Sequence, residues 1–295
     1  MDKKFVFKDN AFDFIRYWAA IAVMLGHFVW KAASYVQGDV ILYSIGRVSN
    51  FFPGVVILFA MSGFLISASF ERSKGKKEFF TKRVLRMYPE LWVCTIANLV
   101  VVCLLAYKLL DKSILIWLGT QVFGIAYTPS CLKNFATGSV NGALWTIFTE
   151  LQLYIVLGIV YNSIKEFDTK KWIGLLGFFA VCNVLADFIS NNSGGAVAKI
   201  IERFFLTYAL WFFIGVFCYV KRESMVPLLK RMVIPLLILY AICKLLPINI
   251  PGYYANIVIG VLLPLIVIGG GVQLASDTHT LRFDLRNILV SLDCA

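Results

Sequence analysis

The chain has 295 residues, 60% of them hydrophobic, and a formal net charge of +11. A soluble globular domain is roughly 45–50% apolar, and here the excess is spread along the chain in long runs, which excludes a soluble domain held by one membrane anchor. The positive charge is explained by membrane topology, so nucleic acid is not an expected partner.

The apolar runs predict a series of membrane-spanning helices. Residues 2–14 are charged and mixed, and no small-residue cleavage site follows, so the first run is expected to stay as a helix rather than act as a cleaved signal. A span needs about 20 mostly apolar residues, and the predicted spans are 13–33, 51–70, 88–107, 141–162, 172–190, 204–220, 232–247 and 254–275. The shorter run Ile114–Ala126 is interpreted as an interfacial or re-entrant piece. We therefore predict an all-α membrane protein, a polytopic bundle of about eight transmembrane helices forming a single domain over residues 1–295.

The basic residues predict the orientation of these spans. If the N-terminus is cytoplasmic, most of the 28 basic residues fall on the cytoplasmic side, with clusters in the loops 71–87, 163–171 and 221–231. Such an excess in short loops is the positive-inside rule. Both termini are thus expected in the cytoplasm.

Two ionisable residues mark the first predicted helix. Arg16 and His27 are eleven positions apart, about three helical turns, which places them on one face and roughly 16 Å apart along the axis. Ionisable groups inside a span are costly and are functional candidates. The functional reading is a catalytic base deep in the bilayer and a cation at the donor entrance, whereas the structural alternative is a snorkelling arginine and a core histidine. The chain's second histidine, His279, lies in the polar tail.

Glu150 lies about halfway across the fourth predicted span. A lone buried carboxylate needs a partner or a proton, and Glu150 and His27 fall at similar depth. Their pairing would orient the imidazole and raise its basicity; a structural interhelical hydrogen bond is the alternative. The neighbouring Trp145 and Tyr154 are typical of interface or core aromatics.

A basic loop precedes the third predicted span. Arg83 and Arg86 are three positions apart and share one face if the helix begins there. Two guanidinium groups at the cytoplasmic surface suit a phosphate-rich ligand such as coenzyme A. Ordinary positive-inside charge is the alternative. In the preceding span, Ser62 and Gly63 are best explained by close helix packing.

Together these segments resemble the acyltransferase-3 family of membrane O-acyltransferases. Arg16 and His27 are similar to the family's Arg-x10-His motif, 59–66 to its F-x-x-S-G-F-L-I segment, and 83–89 to its Arg-x-x-Arg motif. The stretch 145–154 resembles W-S-L-x-x-E-x-x-Y, with threonine in place of the serine. The motifs cover roughly residues 12–155 in family order, and the second half matches only in hydropathy.

The resemblance implies transfer of an acyl group, usually acetyl from acetyl-CoA, to a hydroxyl of a cell-envelope carbohydrate such as a polysaccharide, lipopolysaccharide or glycolipid. It also implies the cytoplasmic membrane of a bacterium, with membrane lipid as a partner. His27 is then the general base, oriented by Glu150, and Arg16, Arg83 and Arg86 hold the donor. Trp145 and Tyr154 are assigned to substrate binding. No metal cofactor is expected, since the scattered cysteines offer no metal site.

Two features depart from the family pattern. Some members carry an extracytoplasmic hydrolase-like domain, which is not expected from these 295 residues. Members also usually have about ten spans, a difference that missing C-terminal helices would explain. The rival hypothesis is a proton-coupled transporter or flippase of an envelope intermediate, because buried His, Glu and Arg also serve proton relays. The sequence shows no internal repeat or paired broken helices of the kind found in transporters.

Overall fold

The computed structural model describes residues 11–33, 36, 39–125, 127–133, 144–246 and 250–273. All regular structure in these ranges is helical, which confirms the predicted all-α class. The α-helices are α1 (Ala11–Ala32), α2 (Val40–Phe51), α3 (Gly54–Arg72), α4 (Lys76–Ala106), α5 (Ser113–Val122), α6 (Leu144–Ile164), α7 (Thr169–Asn192), α8 (Ala196–Ile201), α9 (Ala209–Val220), α10 (Arg222–Leu245) and α11 (Ile257–Gln273).

Within the described residues, six helical stretches are long and apolar enough to cross a membrane. They are Phe12–Val29, Val40–Arg72, Lys76–Ala106, Leu144–Ile164, Thr169–Asn192 and Arg222–Leu245. These coincide with six of the predicted spans. The other two, 204–220 and 254–275, correspond to the shorter helices α9 and α11. With 12 residues, α9 is roughly 18 Å long, less than the ~30 Å hydrocarbon layer. The predicted short piece 114–126 is likewise a helix of 10 residues, α5.

The apolar stretch Val40–Arg72 is interrupted at Pro53, which separates α2 from α3. The predicted span 51–70 corresponds to α3, and α2 was not predicted. Proline cannot donate a backbone hydrogen bond and disfavours the helical conformation of the residue before it. Phe52 accordingly has φ −113° and ψ 90°, outside the helical region. The Asp39 carboxylate caps the start of α2 by accepting from the amides of Ile41 at 2.8 Å and Leu42 at 3.1 Å. A separate helix α2 therefore precedes α3.

The chain forms two compact units, and each is described by itself. The first unit contains residues 1–67, 168–187 and 209–295, and the second contains 68–167 and 188–208.

The core of the first unit is built around α9. All residues of this helix are buried except Phe217 and Val220. A helix that is hydrophobic all round is expected in such a position. It lies against α3 through two glycines: a Cβ at Gly63 would lie 1.9 Å from the Phe212 carbonyl oxygen, and one at Gly215 would lie 2.1 Å from the Ala60 oxygen. Gly63 thus has the packing role that its small size predicts.

The second unit is organised by α4 and α6. The 31 residues of α4 give a length of roughly 46 Å, so the helix exceeds the hydrocarbon layer and its basic N-terminal part can reach the surface. Farther along, the large apolar side chains of α4 are exposed, as lipid-facing residues are expected to be. They include Trp92, Val93, Ile96, Leu104 and Leu105.

Candidate functional site

Arg83 lies where α4 meets α6 in the second unit. The contact forms at Gly158, where an added Cβ would lie 2.6 Å from the tip of the Phe80 ring. Arg83 follows Phe80 by one turn, and its guanidinium Nη2 donates a hydrogen bond to Ser69 Oγ at 2.9 Å. The Arg83 Nε is buried and has no hydrogen-bond partner among the described residues. The partly buried guanidinium thus has one donor atom that is enclosed without a described partner.

Glu150 and Tyr154 lie one turn apart on α6 and are joined by a hydrogen bond from the tyrosine hydroxyl to the carboxylate. Glu150 is half-buried and Tyr154 is buried. Both lie within electrostatic range of Arg83, as does Arg86. The second unit therefore brings together three of the predicted site residues: a cation, a carboxylate and a phenol.

The other two predicted residues of this unit have different surroundings. Arg86 is exposed and forms no ion pair with any described residue. Its guanidinium therefore remains accessible one turn beyond Arg83. Trp145 is half-buried, and its ring lies 5.1 Å from the ring of Tyr208. This contact gives Trp145 a packing role, while its assignment to substrate binding stays a prediction.

Helix α1 carries Arg16 and His27 in the first unit. Arg16 Nη1 forms an ion pair with Asp13 Oδ1 at 2.9 Å, with the two side chains 35% and 41% exposed. An ion pair this accessible contributes about 0–1 kcal/mol, so Asp13 leaves Arg16 able to bind a ligand. His27 is exposed and makes no hydrogen bond to a described residue.

The predicted site residues therefore fall in two groups. Arg83, Glu150 and Tyr154 share the second unit, and Arg16 and His27 share one helix of the first. The pairing of His27 with Glu150, and a joint role of Arg16 with the other arginines, stay predictions. His279 lies outside the described residues.

Two residues of these groups were not anticipated from the sequence. Ser69 orients Arg83, and Asp13 pairs with Arg16. Asp13 could have been found from its spacing, since residues three apart on a helix are neighbours. Ser69 offers only the weaker signal of a polar residue in an apolar run, seven positions after Ser62.

These features define a multi-pass α-helical membrane protein with arginine, histidine and carboxylate groups on its helices. The chain belongs to the acyltransferase-3 family: the family model described as an acyltransferase domain matches residues 9–289. The match extends well beyond residues 12–155, where the recognisable motifs lie.

Two curated relatives are similar over shorter lengths. Nodulation protein 10 of Rhizobium leguminosarum bv. viciae is 31% identical over 163 residues, which cover 50% of this chain and 43% of the relative. An O-acetyl transferase of Shigella phage Sf6 is 26% identical over 245 residues, which cover 79% of this chain and 69% of the relative. No solved structure matches the chain.

Proposed function

We propose that this protein is a membrane O-acyltransferase that transfers an acyl group, acetyl in the simplest case, from acyl-CoA to a carbohydrate hydroxyl. The observation that carries the proposal is the family match over residues 9–289. The similarity to a phage O-acetyl transferase supports acetyl as the group. The half-buried Arg83, with its unused Nε, supports a site for an anionic ligand.

The donor is proposed to be held by Arg83 and Arg86. Guanidinium groups bind phosphate oxygens with charge-assisted hydrogen bonds, and coenzyme A is rich in phosphate. Ser69 fixes one arm of Arg83 and leaves the Nε free, while Arg86 is accessible without an ion pair among the described residues. This arrangement fits a phosphate-bearing donor. The role of Arg16 in donor binding is proposed from the motif alone.

The proposed chemistry is direct acyl transfer with His27 as general base. The imidazole removes the proton of the acceptor hydroxyl, the oxygen attacks the thioester carbonyl, and the carbon–sulfur bond breaks. The imidazolium then returns the proton to the leaving thiolate, so the step balances without a further reactant. An exposed His27 without a hydrogen bond to described residues is available for such a role. Glu150 is proposed to stabilise the charge that develops on the imidazole, and Glu150→Gln should therefore slow transfer.

The experiment that tests the activity uses purified protein in lipid nanodiscs, radiolabelled acetyl-CoA and a cell-envelope glycan extract. Label on the glycan that is released by mild base supports an O-acetyl ester. Binding of the glycans without transfer of label would instead favour a transporter or flippase.

The proposed location is the cytoplasmic membrane of a bacterium, with both termini in the cytoplasm. The motive is the excess of basic residues in the segments 71–87, 163–171 and 221–231, because positive residues are retained on the cytoplasmic side. Single cysteines introduced into a cysteine-free protein test this orientation. A cysteine in place of the exposed Lys76 should react with a membrane-impermeant maleimide only after the cells are opened. Labelling in intact cells would reverse the orientation.

A further inference from the structure

A cavity of about 820 Å³ lies within the first unit, between the end of α1, the face of α2 and the end of α10. Its volume falls within the roughly 300–1,000 Å³ range of small-molecule sites. Most of its wall is apolar. The apolar lining residues include Val29, Ala33, Val40, Leu42 and Phe51.

Two contacts fix the helices that form this cavity. A Cβ at Gly46 would lie 3.0 Å from a Val29 methyl group, so α1 and α2 approach closely there. Tyr240 of α10 donates a hydrogen bond to the Phe51 carbonyl oxygen, and its ring stacks on Phe52 with centroids 5.4 Å apart. Lys244 follows Tyr240 by one helical turn, so the same face of α10 carries it into the cavity wall.

The charged groups of the cavity are not balanced. Arg47 and Lys244 both line it, and neither forms an ion pair with a described residue. Asp39, the one acidic residue among the described residues of the lining, accepts hydrogen bonds from two backbone amides at the start of α2. Cations in a membrane-spanning segment are costly unless they face a cavity or a partner. With two cations and one carboxylate, the described charged residues of the cavity carry a net positive charge, which favours an anionic ligand.

Three polar residues of α2 share one face of the helix. Tyr43, Arg47 and Asn50 recur at intervals of four and three positions, and all three line the cavity. The Arg47 guanidinium carbon lies 5.8 Å from the centre of the Tyr43 ring, close enough for a cation–π contact that orients the side chain. The cavity thus combines an aromatic ring, an amide and a cation on one wall.

We propose that this cavity binds the acyl acceptor and that the acceptor is an anionic carbohydrate, bearing a carboxylate or a phosphate that Arg47 and Lys244 recognise. The inference rests on the proposed function and specifies its substrate class. Val29, in the cavity wall, follows His27 by two positions on α1. Residues two apart on a helix lie on different faces, so the cavity shares the end of α1 with the proposed base but opens on another face of that helix.

The test measures binding without requiring transfer. Envelope oligosaccharides are separated by anion exchange into acidic and neutral fractions, and their binding to the protein in phosphatidylcholine nanodiscs is measured by calorimetry. The wild type should prefer the acidic fraction. Arg47→Gln and Lys244→Gln should each weaken acidic binding about tenfold, the loss expected for one charge-assisted hydrogen bond. Lys112→Gln, which removes an exposed cation outside the cavity, is the control and should bind as the wild type does.

Several outcomes would overturn the inference. They are equal binding of the two fractions, a preference that survives in the double variant Arg47→Gln/Lys244→Gln, and displacement of the oligosaccharide by coenzyme A. Loss of the preference in nanodiscs containing phosphatidylglycerol would assign the cavity to an anionic lipid headgroup instead.

The acetyl-transfer assay separates this inference from the proposed function. Binding that depends on Arg47 and Lys244 without any transfer would contradict the function and retain the cavity as a glycan site. Transfer that proceeds equally well in both variants would contradict only the assignment of the cavity.

Discussion

The Arg83 guanidinium donates a hydrogen bond to the Ser69 hydroxyl, with 2.9 Å between Arg83 Nη2 and Ser69 Oγ. The serine lies near the end of α3 and is 8% exposed, so the bond is largely shielded from water. Because one arm of the guanidinium is held in this way, the orientation of its remaining donors is restricted. Ser69 is therefore a positioning residue for the proposed donor site.

Ser69→Ala should reduce the affinity for coenzyme A about 3- to 10-fold, the range expected for loss of one hydrogen bond. The KM for acetyl-CoA should rise by a similar factor while kcat at saturating donor changes little, because the serine acts through Arg83. Ser44→Ala is the matched control, since Ser44 is exposed and donates its hydrogen bond within its own turn, to the Val40 oxygen. An unchanged donor affinity in Ser69→Ala would remove the positioning role.

Arg83→Ala and Arg86→Ala should both weaken donor binding, and Lys should be a poor replacement because it lacks the planar fork of donors. The clearest measurement compares coenzyme A with pantetheine, which lacks the phosphate groups. The wild type should prefer coenzyme A, and the variants should lose much of that preference. Lys76→Ala, which removes an exposed cation from the first turn of α4, is the control. If the preference persists in both arginine variants, these residues determine topology only.

Gly63→Ala should lower the thermal stability of the protein. The added methyl group would lie 1.9 Å from the Phe212 carbonyl oxygen, and a backbone atom cannot move aside without separating α3 from α9. Overpacking of this kind typically costs about 1–3 kcal/mol. Gly177→Ala in α7 is the control, because nothing lies within 4 Å of its added Cβ. Equal melting temperatures for the two variants would contradict the close approach.

The sequence was sufficient to predict the six long apolar stretches because each membrane span needs a long apolar run, and such runs are visible without knowledge of their neighbours. It did not predict the separate helix α2. The prediction that Arg83 and Arg86 lie in a basic loop was wrong, since α4 begins at Lys76 and contains both residues. The predicted loop 221–231 likewise lies mostly within α10, which begins at Arg222. The lengths of the helices were less predictable than their positions. The α-helix in the predicted span 204–220 has only 12 residues, because hydropathy does not distinguish a short buried helix from a membrane span.

The contacts between helices could not be predicted in the same way. The partnership of Ser69 with Arg83 joins α3 to α4, and it depends on how those helices cross rather than on spacing along either one. The approach of Phe80 to Gly158 depends likewise on a missing side chain in α6. Hydrophobic periodicity identifies a buried face but does not identify its partner.

The account depends most directly on His27 as the general base, and the decisive measurement is the rate of acetyl transfer by His27→Gln. Glutamine can hydrogen-bond but cannot take the proton, and loss of a general base typically costs about 10²- to 10⁴-fold in rate. The variant should therefore lose transfer by that factor while keeping its donor affinity and melting temperature. Phe28→Ala, a change at the adjacent exposed position, should retain transfer. Near-normal transfer by a folded His27→Gln protein would contradict the account.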